Sequence, residues 1–261
     1  MTDPLPSNRW IAYRKAQPGA KARLFCFHYA GGAASVYRTW QASFPAGVEV
    51  CPVQLPGRES RLREPLMVSV SSLLDALVEN LSPAMDLPFA FFGHSMGAIL
   101  SFELALRLRE VSSLRPVALF LSGRRSPHSA DTERPIHDLP DAEFRSELRQ
   151  LNGTPEEVLA HPELMELLEP VLRADFAVCE TYKHQASPPL DCPITVFGGL
   201  EDSKTPRETL ESWRRYTSGE FRLKLLPGDH FFLNGASRAA LIGAVAADLR
   251  LALERRERAP A

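Results

Sequence analysis

Ser95 stands between two glycines in Gly93-His94-Ser95-Met96-Gly97, behind the apolar run Phe89-Ala90-Phe91-Phe92 and ahead of a helix-forming run from Ala98 to Leu108. Strand, sharp turn and helix in that order raise a serine hydroxyl at the tip of a strained turn. The glycines remove side chains that would clash inside it. Such a serine is a candidate nucleophile for acyl transfer. Because an alcohol attacks poorly at neutral pH, it needs a base, and the base needs a carboxylate to fix its tautomer and stabilise its cation. A bare G-x-S-x-G match arises by chance too often to stand alone, so the rest of the chain must supply these partners.

In sheet hydrolases with this turn the partners follow in the order acid, then histidine, each after a late strand. The run Pro193-Ile194-Thr195-Val196-Phe197 reads as a buried strand and ends in Gly198-Gly199-Leu200-Glu201-Asp202; the run Phe221 to Leu226 reads as another and ends in Pro227-Gly228-Asp229-His230. Asp202 is assigned as the acid and His230 as the base. Glu201 is the alternative acid, and since adjacent residues leaving a strand point in different directions, only one of the two should face His230.

The elements that must position these groups are legible as apolar runs at Arg23 to Tyr29, Glu49 to Leu55, Phe89 to Phe92, Val117 to Ser122, Ile194 to Phe197 and Arg222 to Leu226. Continuous apolar runs suit parallel strands buried on both faces, and helical segments lie between most of them. The expected class is α/β: a mostly parallel central sheet flanked by helices, in one domain over residues 1–261. Val70 to Leu81 fits an amphipathic helix, and Ser237 to Arg255 a closing helix with a charged, fraying tail. Between Gly123 and Pro189 the alternation stops. Short helical segments at Asp141 to Leu151, Pro155 to Ala160, Pro162 to Leu168 and Val171 to Tyr182 are expected there, separated by Pro and Gly, as a lid over the nucleophile at approximately 123–189.

Composition excludes several classes. At 44% hydrophobic and 24% charged residues with a formal charge of -2, the chain lacks the basic balance of a broad nucleic-acid-binding surface. No stretch approaches the roughly 18 apolar residues that span a bilayer, and Met1 to Arg9 lacks a signal peptide's apolar core, so a cytoplasmic protein without membrane contact is expected. Cys26, Cys51, Cys179 and Cys192 show no C-x-x-C spacing and read as reduced packing residues. Neither a metal site nor a phosphate-cradling loop is recognisable, and no cofactor is expected. His28 and His94 read as packing residues.

These motifs resemble the type II thioesterases that accompany polyketide and nonribosomal peptide synthases. The resemblance rests on Phe25-Cys26-Phe27-His28-Tyr29-Ala30-Gly31-Gly32, Gln54-Leu55-Pro56-Gly57-Arg58-Glu59, Phe92-Gly93-His94-Ser95-Met96-Gly97-Ala98, Leu172-Arg173-Ala174-Asp175-Phe176 and Gly228-Asp229-His230-Phe231-Phe232-Leu233, in the family's order along nearly the whole chain. One departure is Asp229, where the family commonly has glycine. The resemblance implies an α/β-hydrolase fold with a helical lid. It further implies hydrolysis of aberrant or stalled acyl groups from the phosphopantetheine arm of acyl or peptidyl carrier protein domains.

The oxyanion formed on attack needs two donors. One is the Met96 backbone N–H, which follows the nucleophile; the resemblance places the second at Ala30. Arg58 reads as a solvated loop residue, a structural pair or a carrier contact. Carrier proteins of such systems are typically acidic, which makes Arg58, Arg61, Arg63 and Arg124, Arg125 the candidate basic clusters.

A discrete monomeric enzyme is expected, since a product-releasing type I thioesterase would normally be fused to a synthase and no large linker flanks this chain. That enzyme and a carboxylesterase of the same fold remain the alternatives. A non-enzymatic carrier-binding module is disfavoured by the intact Ser95, Asp202 and His230.

Overall fold

All six apolar runs form strands, and all pair in parallel. The computed structural model describes residues 8–129, 134–151 and 153–258. Met1–Ser7, within the segment read for a targeting signal, lie outside the described residues, as do positions 130–133 and 152 of the expected lid and the carboxyl-terminal 259–261. The strands are β1 (Ala22–Phe27), β2 (Val48–Pro52), β3 (Phe89–His94), β4 (Leu119–Ser122), β5 (Ile194–Gly199) and β6 (Phe221–Leu226), in the order β2-β1-β3-β4-β5-β6. The helices are α1 (Val70–Leu81), α2 (Met96–Val111), α3 (Asp141–Leu151), α4 (Glu156–Leu159), α5 (Pro162–Glu180), α6 (Arg207–Glu211) and α7 (Arg238–Arg258).

Alternation along the strands feeds two apolar layers. Phe25 and Phe27 of β1 join Phe91, Leu121 and Val196 on the face covered by α1 and α2, through Leu73, Leu77, Leu100 and Leu104. Leu24 and Cys26 point the other way, with Val50, Phe92, Phe120 and Phe197, onto Leu241, Val245 and Leu249 of α7. Each such side chain taken out of water contributes about 1.5–3 kcal/mol before the entropy of ordering is set against it. Asp248 ties α7 to the sheet, accepting from Thr195 Oγ1 at 3.0 Å and pairing with Arg222 at 2.9 Å and Lys224 at 2.8 Å. The closing helix outruns its expected end at Arg255 and continues to Arg258.

The helical insertion between β4 and β5 has a core of its own, in which Ile136, Phe144, Leu148, Leu159, Met165 and Leu172 are buried together. Arg173 braces it, donating to the carbonyls of His137 and Leu139 and to Glu169 while its guanidinium lies 4.2 Å from the centre of the Phe144 ring.

One expectation is corrected here. Pro162 to Leu168 and Val171 to Tyr182 are not two segments but the single helix α5, which runs through Pro170. Proline removes one N–H and frees the carbonyl four residues before it. Glu166 and Pro170 both lie on the exposed side of α5, so that carbonyl faces water, while Met165, Glu169 and Leu172 keep the inner face packed. Among the described residues no helix is long and apolar enough to cross a membrane.

Candidate active site

Every candidate group follows the carboxyl end of a strand, where ligands gather in open parallel sheets. Ser95 leaves β3 at φ 54° and ψ -112°, a left-handed conformation that an L-residue holds only when its surroundings force it. The forcing contacts are backbone ones. A Cβ on Gly93 would sit 1.9 Å from the carbonyl oxygen of Gly97, and one on Gly97 would sit 2.1 Å from that of Phe27. The Ser95 amide is fixed to the Ser122 carbonyl at 2.8 Å. Met96 opens α2, so its amide is among the helix's first four, which have no partner within the helix.

His94 fills the space behind the turn. It is fully buried, its Nδ1 pairs with Ser122 Oγ at 2.8 Å, and its ring meets Tyr29 and Phe232 edge-on. Burial, followed by the neighbouring His230, holds it well below the usual histidine range and therefore neutral. His28 is likewise buried, and burial followed by the Arg58 charge lowers it to about 4. Both are packing residues, as their sequence setting suggests.

Asp202 and His230 meet. His230 Nδ1 lies 2.8 Å from Asp202 Oδ2, and the same carboxylate accepts from Thr205 Oγ1 at 2.8 Å and from the Lys204 amide at 3.0 Å. Burial is the largest single influence on Asp202 and raises its pKa, but the hydrogen bonds and charge of His230, with Thr205 and Lys204, together outweigh it and hold the carboxyl below its ordinary value. Glu201 is exposed and turns away, accepting from the Gly228 amide. Asp229 also points outward, its Oδ1 accepting from the Phe231 amide at 2.8 Å. Its carboxylate stays out of the site.

Ser95, His230 and Ala30 line one cavity of about 520 Å³, whose far wall is the helical insertion through Leu148, Leu151, Val158, Val171 and Phe176. Among the described residues no hydrogen bond joins Ser95 Oγ to His230. The loop after β1 has two of its amides already committed: Gly31 donates to Asp175 Oδ2 at 2.7 Å and Gly32 to the Tyr29 carbonyl at 2.9 Å. Among the described residues no cluster of potential metal ligands occurs.

Of the candidate cluster Arg58, Arg61 and Arg63, only Arg63 is exposed. Arg58 is buried and grips Asp175 of α5 with both guanidinium nitrogens, at 2.6 and 2.8 Å. Arg61 is buried too, donating to the Gln54 carbonyl at 2.8 Å and lying 3.9 Å from the centre of the Trp10 ring. Sequence alone hides this, since Arg58 and Asp175 are 117 residues apart. Arg124 and Arg125, in contrast, do line the cavity, joined by Arg134 and Lys204, which the sequence reading did not single out.

A thioesterase-domain family model matches residues 22–249 of the chain. The gramicidin S biosynthesis protein GrsT of Aneurinibacillus migulanus is 46% identical over 246 residues, spanning 94% of this chain and 96% of that protein. Among solved structures, the type II thioesterase BorB from the borrelidin biosynthetic cluster aligns with a TM-score of 0.84 at 36% identity, over 93% of this chain and 98% of BorB. RedJ, a thioesterase from the prodiginine biosynthetic pathway in Streptomyces coelicolor, aligns with a TM-score of 0.81 at 42% identity, over 87% of this chain and 86% of RedJ.

Proposed function

This chain belongs to the thioesterase family, and on that premise we propose that it is an editing, type II thioesterase using a Ser95-His230-Asp202 triad. Its substrates are aberrant or stalled acyl groups on the phosphopantetheine arm of acyl or peptidyl carrier protein domains in polyketide or nonribosomal peptide synthesis. The whole chain works as one α/β-hydrolase domain, with the insertion between β4 and β5 as its lid.

Ser95 Oγ attacks the thioester carbonyl while His230 Nε2 takes its proton, since Nδ1 is occupied by Asp202. Asp202, kept ionised by its three donors, holds that tautomer and stabilises the imidazolium. The carbonyl oxygen becomes an oxyanion between the Met96 amide and the loop after β1. The resemblance puts that loop's donor at Ala30, and the engagement of the Gly31 and Gly32 amides elsewhere supports it. Collapse expels the arm's thiolate, which takes the proton from His230, and leaves an acyl ester on Ser95. A water activated by His230 then attacks this ester and frees the acid.

The observation that carries the reading is the Asp202–His230 hydrogen bond, whose imidazole lines the same cavity as the strained Ser95. Four basic side chains line the cavity, Arg124, Arg125, Arg134 and Lys204, against the acidic Glu147 and Glu180, which suits an acidic carrier and the arm's phosphate. Incubation with an acyl-loaded carrier protein, followed by mass spectrometry of the carrier, tests it. Loss of the acyl mass with the arm retained is expected. An acyl carrier left intact while simple oxygen esters are cleaved would favour the carboxylesterase alternative.

A further inference from the structure

The reaction needs an oxyanion donor from the loop after β1, yet that loop is short, glycine-rich and intrinsically permissive. What holds it is not the sheet alone. Gly31 adopts φ +75°, and its amide donates to Asp175 Oδ2 at 2.7 Å. A Cβ on Gly31 would sit 2.5 Å from Leu172 Cδ2, so α5 packs directly against its backbone. Leu172 and Asp175 are three residues apart on α5 and share one helix face. That face of the cap therefore rests on the residue next to Ala30.

Asp175 is in turn held by Arg58 from the loop after β2. The same guanidinium donates to the Gly32 carbonyl at 3.1 Å, and Gln54 Nε2 donates to the Arg58 carbonyl at 3.3 Å. The Asp175 carboxylate and the Arg58 guanidinium thus grip Gly31 and Gly32 between them, the carboxylate accepting from the Gly31 amide and the guanidinium donating to the Gly32 carbonyl. A buried ion pair is a poor source of stability, because desolvating both charges offsets most of their attraction. Its geometry is a better account of why it is there.

Resting on the thioesterase reading above, we propose that Arg58 and Asp175 are positioning residues which set the oxyanion loop from the cap, so that helix α5 aligns the Ala30 amide for the transition state. Formation of the tetrahedral species creates a Ser95 Oγ–carbon bond, moves the carbonyl π pair onto oxygen and passes the serine proton to His230. The charge on that oxygen appears only then, so a misaligned donor should slow turnover without weakening ground-state binding.

The test compares wild type, Asp175→Asn and the double variant Arg58→Met/Asp175→Leu. Asparagine keeps the shape but sets an NH2 group against the guanidinium. The double variant replaces the pair by apolar groups, a change that buried ion pairs often tolerate without loss of stability. For each, kcat and KM are measured on an acyl carrier protein. Affinities are measured for an acyl-pantetheine trifluoromethyl ketone, whose hemiketal with Ser95 places an oxyanion in the hole, and for the matching thioether, which forms none.

Both variants should fold and lose roughly 10- to 10²-fold in kcat, less than the full loss of an oxyanion donor, with KM changed less than about twofold. Trifluoromethyl ketone affinity should fall by a similar factor and thioether affinity should hold. Wild-type kcat in either folded variant, an effect on KM alone, equal loss of affinity for ketone and thioether, or failure of both variants to fold would each overturn the proposal. A wild type inactive on acyl carriers would overturn the thioesterase reading itself, and this inference with it.

Discussion

His230 Nδ1 lies 2.8 Å from Asp202 Oδ2, while Glu201, one residue earlier, spends its carboxylate on the Gly228 amide. Asp202→Asn should therefore lower kcat by roughly 10³- to 10⁴-fold, because an amide presents the wrong partner to the imidazole N–H. Glu201→Gln, at an exposed site, should change it by no more than about twofold. Single-turnover acyl release from a carrier compares the two, and the opposite ranking would transfer the role to Glu201.

The turn that raises Ser95 leaves no space for side chains. Gly97→Ala would set a methyl group 2.1 Å from the Phe27 carbonyl oxygen, a backbone atom that moves only if β1 moves, so a destabilisation of about 3 kcal/mol or more is expected. Gly243 in α7 is the control, since nothing lies within 4 Å of its would-be Cβ and Gly243→Ala should stabilise by up to about 1 kcal/mol. Urea midpoints of the two variants should shift in opposite directions; shifts of the same sign would refute this packing account.

Acid should weaken the fold through its buried histidines. In the unfolded chain His28 takes up a proton as pH falls through about 6.5, whereas in the folded chain burial and then Arg58 delay uptake to about 4. Between those values the unfolded state binds more protons, so stability is lost as pH falls and the loss is complete below about 4, reaching about 3 kcal/mol. His94 acts in the same direction. The lowered Asp202 carboxyl titrates below this window. Urea unfolding at several pH values between 7 and 4 should show a shallower decline for His28→Gln than for wild type, and parallel declines would contradict the assignment.

The sheet was legible because strands buried on both faces leave continuous apolar runs, and α1 and α3 because period and flanking residues agree. Pro170 misled because a proline's cost depends on where its freed carbonyl points, and here it points to water. Arg58 stayed open among a solvated side chain, a structural pair and a carrier contact; it is the pair, and only the fold brings Asp175 to it from 117 residues away. The choice between Asp202 and Glu201 was open for want of side-chain direction. The Thr205 and Lys204 donors behind Asp202 left no recognisable trace in the sequence.

The insertion walls the cavity with Leu148, Leu151, Val158, Val171 and Phe176, so it should limit the length of acyl chain that fits. Val158→Trp should lower kcat/KM for long acyl carriers by roughly 10-fold or more and spare acetyl or propionyl carriers, since overpacking penalises only the chains that reach it. A chain-length series on one carrier reads this directly. A uniform loss across all lengths would mean that Val158 does not line the acyl path.

Ser95 carries the central claim. Wild type should take a fluorophosphonate label at Ser95, located by peptide mass spectrometry, and should clear an acyl group from a carrier protein, while Ser95→Ala should keep the fold, stay unlabelled and leave the acyl carrier intact. Hydrolysis of the acyl carrier by folded Ser95→Ala at the wild-type rate, or labelling of a different serine, would contradict it.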